Sequence, residues 1–246
     1  MIMGLNQPYF MPYIGYWQLI NAVDVFVIGD DYNYIKQGWV NRNRIQQNKT
    51  VQYFGVEVSH PSSFKYIGEH TLAESFLPEK KMHLVEAGYQ NAPYYEAGAA
   101  LMEKILNCGE TNLADFLEHS IRCVCDYLGI TTKIIRSSSL SGNAELKREY
   151  RLFHACQQLG ADTYINAIGG QELYDYKQFR EHGIKLGFIQ TGDVQYRQFG
   201  RQFIPYLSII DVIMFNSKEE IREMLNQYTI LWEESNGSQS AESEVN

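Results

Sequence analysis

The chain has 246 residues, 45% of them hydrophobic and 20% charged, with a formal net charge of −8 at pH 7. That composition suits a globular protein burying one sizeable core. It offers no basic face for nucleic acid and no apolar run near the roughly 20 residues of a membrane span. Glu233, Glu234, Glu242 and Glu244 lie in a C-terminal stretch without Lys or Arg, so the body is nearer to balance than the total suggests. The start shows no basic leader followed by an apolar core, and a cytoplasmic protein is expected. Cys108, Cys123, Cys125 and Cys156 include no CxxC pair and read as reduced thiols. The 6 histidines are scattered without an HExxH motif, so no metal centre is expected.

In chain order, the apolar run Ile2-Met3-Gly4-Leu5 reads as a strand that ends in the loop Asn6-Gln7-Pro8-Tyr9-Phe10-Met11-Pro12. Residues 13–22 read as a helix, and Asp24-Val25-Phe26-Val27-Ile28-Gly29 as a second strand closed by Asp30-Asp31. A polar, aromatic segment follows over 32–45. Residues 51–58 alternate well enough for a strand, which Pro61-Ser62-Ser63 breaks. From about Leu72 to Leu128 the chain reads as helices, an insertion or lid. There Leu113, Phe116, Leu117, Ile121, Val124 and Leu128 fall at helical spacing, Thr111 or Asn112 can cap the start, and Gly129 suits the end. Beyond it, strands over 132–135, 163–165 and 184–189 alternate with helices over 146–159 and 171–182. The stretch 207–215 reads as a buried helix, although its length does not exclude a strand. Such β-α-β-α-β order calls for parallel pairing through crossovers. The expectation is an α/β, Rossmann-like parallel sheet of about five strands. It forms a single domain over 1–232, with a helical insertion over about 72–128 and a disordered tail over 233–246.

Ligands of an open parallel sheet sit outside the carboxyl ends of its strands. The first predicted strand brings Asn6, Gln7, Pro8 and Tyr9 there. The second brings Asp30 and Asp31, then Lys36, Asn41, Arg42, Asn43 and Arg44. The third brings Arg136, Ser137, Ser138 and Ser139, the fourth Asn166 and Gly169-Gly170, the fifth Gln190 and Thr191. Pro12 and Gly15 open the first helix, whose N-terminus can hold a phosphate; a plain loop-to-helix turn would look the same. Adjacent Asp30 and Asp31 can hold Mg²⁺ or accept a proton from an amine, or form a solvated turn. Arg42 and Arg44, after Trp39, share one face of a strand and suit bidentate phosphate binding, or a solvated face paired with acids. Ser137-Ser138-Ser139 can hold phosphate or serve as a flexible linker. Most of the 18 tyrosines suit core edges. Those at loop positions, among them Tyr9, Tyr13, Tyr16, Tyr32, Tyr174 and Tyr196, suit a pocket that stacks on sugar or base rings. There is no Walker loop, no GxGxxG and no Ser/His/Asp pattern, and Cys156 reads as core.

Gln7-Pro8-Tyr9, Pro12, Gly15-Tyr16, Asp30-Asp31, Lys36 and residues 39–45 resemble the WbqC-like family of bacterial proteins. Ser137-Ser138, Gly160-Ala161 with Tyr164, Tyr174, and residues 203–211 agree with it. Gly38, where a charged residue is common, and Asn166, where a small one is, depart from the pattern. The resemblance implies a role in O-antigen and surface-polysaccharide biosynthesis, with glycine transfer to an amino sugar suggested for a member. A looser likeness to nucleotidylyltransferase folds lacks their HxGH histidines, since Tyr16 follows Gly15. The resulting expectation is a transferase acylating the amine of a nucleotide-linked amino sugar with a small acyl donor, glycine foremost. Asp30, Asp31 and Gln7 would carry the chemistry. Lys36, Arg42 and Arg44 would bind phosphates above the Gln7 to Gly15 loop. Tyr9, Pro12, Gly15, Tyr16, Trp39, Asn41, Asn43, Ser137, Ser138, Tyr164 and Tyr174 would line the site. Free glycine would require ATP with Mg²⁺; a thioester or aminoacyl-tRNA donor would not. A non-catalytic nucleotide-sugar binding protein and a nucleotidyltransferase-like enzyme are the alternatives. The oligomeric state is left open.

Overall fold

A computed structural model of the protein describes residues 1–47, 50–146, 149–200 and 202–233. Its sheet grows outward from the first strand, β1 (Ile2–Asn6), which pairs in parallel with β2 (Val25–Ile28) on one side and β6 (Thr163–Ala167) on the other. Beyond β2 lies β5 (Lys133–Arg136), and beyond β6 lies β7 (Lys185–Thr191), both also parallel. The order is β5-β2-β1-β6-β7-β8, so the direction of strand addition reverses between β1 and β6. The five expected parallel strands are therefore joined by a sixth, β8 (Tyr228–Trp232), antiparallel to β7. Strands β3 (Arg42–Gln47) and β4 (Thr50–Gly55) form a separate antiparallel pair, ending earlier than the expected run to residue 58.

Every residue of β2 is buried, as a strand covered on both faces requires. Alternate residues feed opposite cores. Phe26 and Ile28 join one apolar cluster, with Trp17 and Ile20 of α1 (Ile14–Asn21) and Ile210 and Ile213 of α7 (Ile209–Phe215). Val25 and Val27, with Met3 and Leu5 of β1, join a second, with Leu152 and Phe153 of α5 (Glu149–Leu159) and Phe179 of α6 (Tyr176–Glu181).

The segment between β4 and β5 carries α2 (Pro78–Tyr89), α3 (Tyr95–Leu106) and α4 (Leu113–Leu128). Residues 72–77, read as helical in the sequence, are not; the helix starts where Pro78 occupies its first turn. In α4 the Asn112 side chain accepts from the N–H groups of Ala114 and Asp115, and Gly129 closes the helix at φ 75°. Its apolar face, with Phe116, Leu117, Ile121 and Val124, enters the same cluster as Phe26 and Trp17. Each such fully buried side chain contributes about 1.5–3 kcal/mol relative to exposure. Between β6 and β7 the expected long helix is instead a 3₁₀ turn (Ile168–Leu173) and then α6, because the Asp175 carboxylate caps the Lys177 N–H and sets a new start. After α7 come the short α8 (Lys218–Met224) and the edge strand β8. The tail expectation falls, beyond Glu233, outside the described residues.

Candidate functional site

At the carboxyl end of β1, the Asn6 carbonyl accepts from the Gly29 N–H at 2.8 Å, which joins the tips of β1 and β2. The Gln7 side chain donates Nε2–H to the Asn33 carbonyl at 2.9 Å, and the Gln7 carbonyl accepts the Tyr16 hydroxyl at 3.0 Å. Beside it, buried Asp30 accepts the Ser138 N–H at 3.0 Å and its hydroxyl at 2.5 Å. Asp31, also buried, forms an ion pair with Arg151 of α5. Arg151 further donates to the Asp31 carbonyl at 3.1 Å and to the Ser137 hydroxyl at 3.2 Å, which also accepts from Asn143 at 3.0 Å. The guanidinium sits 4.5 Å from the Tyr32 ring centroid. Burial pushes the Tyr32 hydroxyl up to about 12, with the Arg151 charge opposing. Asp30 is thus bonded to Ser138, and Asp31 and Ser137 share Arg151, at the ends of β2 and β5, while Gln7 stands at the end of neighbouring β1 without a bond to them. Arg151 is the member that sequence reasoning missed. Its only signal is an arginine beside Leu152 on the otherwise apolar face of a helix.

Arg42 and Arg44 do not join that group. Arg42 donates to the carbonyls of Gln37 and, at 3.2 Å, Gly38. Arg44 donates to the Tyr206 carbonyl at 3.1 Å. Gln37 and Tyr206 are both held at positive φ, 59° and 58°, a conformation that costs energy in a residue with a side chain. Each arginine therefore grips the carbonyl of a strained residue. Arg42 lies 4.4 Å from the Tyr53 ring centroid and Arg44 5.8 Å from that of Trp39, with the two exposed rings 6.3 Å apart. The result is a surface band of alternating rings and cations. Lys36 is exposed nearby in sequence. Asn41 is used internally, accepting from Tyr34 and donating to the Val56 carbonyl, both at 2.7 Å. Buried Asn43 caps the Arg44 N–H at 2.8 Å.

Several tyrosines are structural. Tyr164 is fully buried and stacks on Phe179, so it lies in the core and lines no pocket; half-buried Tyr174 meets its edge at 5.9 Å. Tyr16 is buried among Tyr9, Trp17 and Phe26. The Pro12 carbonyl accepts from the Trp17 indole at 3.0 Å and the Ile209 N–H at 2.9 Å, which pins the loop before α1. No side chain caps α1. Gly15 is there for space: a Cβ would lie 2.3 Å from the Tyr13 hydroxyl oxygen and 2.5 Å from Oγ1 of Thr191.

Tyr13 and Thr191 also line a cavity of about 440 Å³ at the carboxyl end of β7, together with Asp193, Tyr196, Phe203, Tyr206 and their neighbours. Beneath it, fully buried Asp211 accepts from Tyr89 at 2.9 Å and from Tyr196 and Gln198 at 2.8 Å each. Burial raises the Asp211 carboxyl above its ordinary range, and those three hydrogen bonds oppose the rise. Among the described residues no group of three or more His, Cys, Asp or Glu is placed to hold a metal ion, and no helix is long and apolar enough to cross a membrane.

Comparison with known proteins gives one family: the model of the WbqC-like protein family matches residues 7–223. The chain is also 32% identical over 226 residues to an uncharacterized protein of Mycobacterium tuberculosis, covering 90% of this chain and 96% of that one. No solved structure matches it.

Proposed function

Because the chain belongs to the WbqC-like protein family, we propose that it is a cytoplasmic transferase of bacterial surface-polysaccharide (O-antigen) biosynthesis. In this reading it acylates the amine of a nucleotide-linked amino sugar, with glycine as the acyl group. The observation that carries the reading is the bonded set of Asp30 with Ser138 and Asp31 with Arg151 at the carboxyl ends of β2 and β5, with Gln7 at the end of neighbouring β1, the end of the sheet where α/β folds take their ligands. Asp30 keeps carboxylate lone pairs beyond its two bonds from Ser138, and so holds the nucleophilic amine or a metal ion. Arg42 and Arg44 keep guanidinium N–H groups beyond those given to carbonyls. With Lys36 they bind the phosphates, while Trp39 and Tyr53 stack on the base. Free glycine requires activation by ATP with Mg²⁺; a thioester or aminoacyl-tRNA donor does not.

The test is incubation of the purified protein with a nucleotide-linked 4-amino sugar and each of the three donors, read by mass spectrometry. A glycyl mass gain that Asp30→Asn abolishes is expected. No gain with any donor sinks the reading. One observation favours a second reading, a nucleotide-sugar binding protein without chemistry: both carboxylates are already engaged, Asp30 by Ser138 and Asp31 by Arg151. That reading expects calorimetric binding without turnover, and Asp30→Asn leaving affinity nearly intact.

A further inference from the structure

We infer that the cavity between the start of α1 and residues 191–196 and 202–207 is a subsite for a pyranose ring carrying a protonated amino group. Its volume, about 440 Å³, falls within the roughly 300–1,000 Å³ of small-molecule sites. The rings of Tyr13, Tyr196, Phe203 and Tyr206 form its walls, and such faces cover the C–H side of a sugar ring. Among the described residues that line it, Asp193 is the one charged side chain, and no Lys or Arg is present. A carboxylate beside aromatic walls favours an organic cation.

Part of the lining is set before any ligand arrives, while Tyr206 stays 66% exposed. The Tyr196 hydroxyl is fixed on buried Asp211 at 2.8 Å. Tyr206 is held at φ 58° with its carbonyl gripped by Arg44, and its ring meets that of Tyr13 edge-on at 6.0 Å. Gly15 leaves room for the side chains of Tyr13 and Thr191 beside it. Preorganised walls lose less freedom on binding. Asp193 is exposed, and both its oxygens accept from Gln195 at 2.9 Å; a carboxylate has further lone pairs for an ammonium. The inference deepens the transferase reading, and rests on it for the choice of a sugar.

The probes are methyl glycosides of 2-, 3- and 4-aminohexoses and their N-acetylated counterparts, titrated by calorimetry and by saturation-transfer NMR at neutral pH. At least one amine is expected to bind about tenfold more tightly than its N-acetyl form, the effect of one charge-assisted hydrogen bond. Asp193→Asn, a change at an exposed side chain, should erase that preference, and Tyr206→Ala should weaken both forms. Absence of a preference for the amine, or a preference that survives Asp193→Asn, overturns the subsite. Asp193-dependent binding without acyl transfer removes the transferase reading and keeps the subsite. Transfer that proceeds unchanged in Asp193→Asn does the reverse.

Discussion

The Asp211 carboxyl sits where no water reaches it, held by Tyr89, Tyr196 and Gln198. Its carboxyl is raised above the ordinary 3.8, chiefly by burial. An acid raised by folding binds its proton more tightly in the folded chain than in the unfolded one. The associated penalty is complete above the folded value and disappears as pH falls below 3.8. Asp211→Asn has no such titration. Between about pH 7 and about pH 4 the wild type should therefore gain stability relative to Asp211→Asn in urea titrations. A gap that stays constant with pH contradicts a raised carboxyl. Arg151 and Asp31 form a buried ion pair, with side chains only 9% and 11% exposed. Arg151→Met strands the Asp31 charge and should cost about 3–5 kcal/mol. Adding Asp31→Leu should return much of that loss, since the unpaired charge, more than the lost contact, causes it. Equal destabilisation in the single and double variants would show that packing of the arginine stem dominates.

Among the elements, α4 is held at both ends by single residues. Asn112→Ala removes the acceptor for the N–H groups of Ala114 and Asp115 and should lower stability by about 1 kcal/mol. Gly15→Ala should cost no more than that, because its methyl group meets only the side-chain ends of Tyr13 and Thr191, which can turn aside. Thermal melting of the two variants gives the order directly. These same elements explain what could be read in the sequence. The limits of α4 were legible because Asn112, Gly129 and the apolar spacing are local signals. The parallel strands were legible from their apolar runs. The start of α6 was misplaced, since Asp175 interrupts a stretch that otherwise reads as one helix. Strand β8 escaped notice because it is a half-buried edge with a weak pattern. At the site, strand order puts Gln7, Asp30, Asp31 and Ser138 at the same end of the sheet, and only Asp30 and Ser138 of these bond to each other. Periodicity put Arg42 and Arg44 on one strand face, but it says nothing about partners. Their partners are the carbonyls of Gln37 and Tyr206, residues whose positive φ no spacing reveals. The Asp211 network was illegible for the same reason: Tyr89, Tyr196 and Asp211 meet only in three dimensions.

For the molecule as a whole, the helices between β4 and β5 share one apolar cluster with α1, α7 and β2. They should not melt separately. Fluorescence, dominated by changes around buried Trp17, and far-UV circular dichroism should give coincident urea transitions. A displaced helical transition would show that residues 72–128 fold as their own unit. The position of β1 has a different consequence, for the route to the folded state. Ile2 lies beside Thr163 and Met3 beside Tyr164. Until residues 163–167 arrive, the middle strand of the finished sheet is an open edge, with its donors and acceptors unpaired and its apolar faces half covered. Closing so long a loop is slow, and unpaired edges are where chains adhere to one another. The strand that anchors the native sheet is the most vulnerable part of the half-made one.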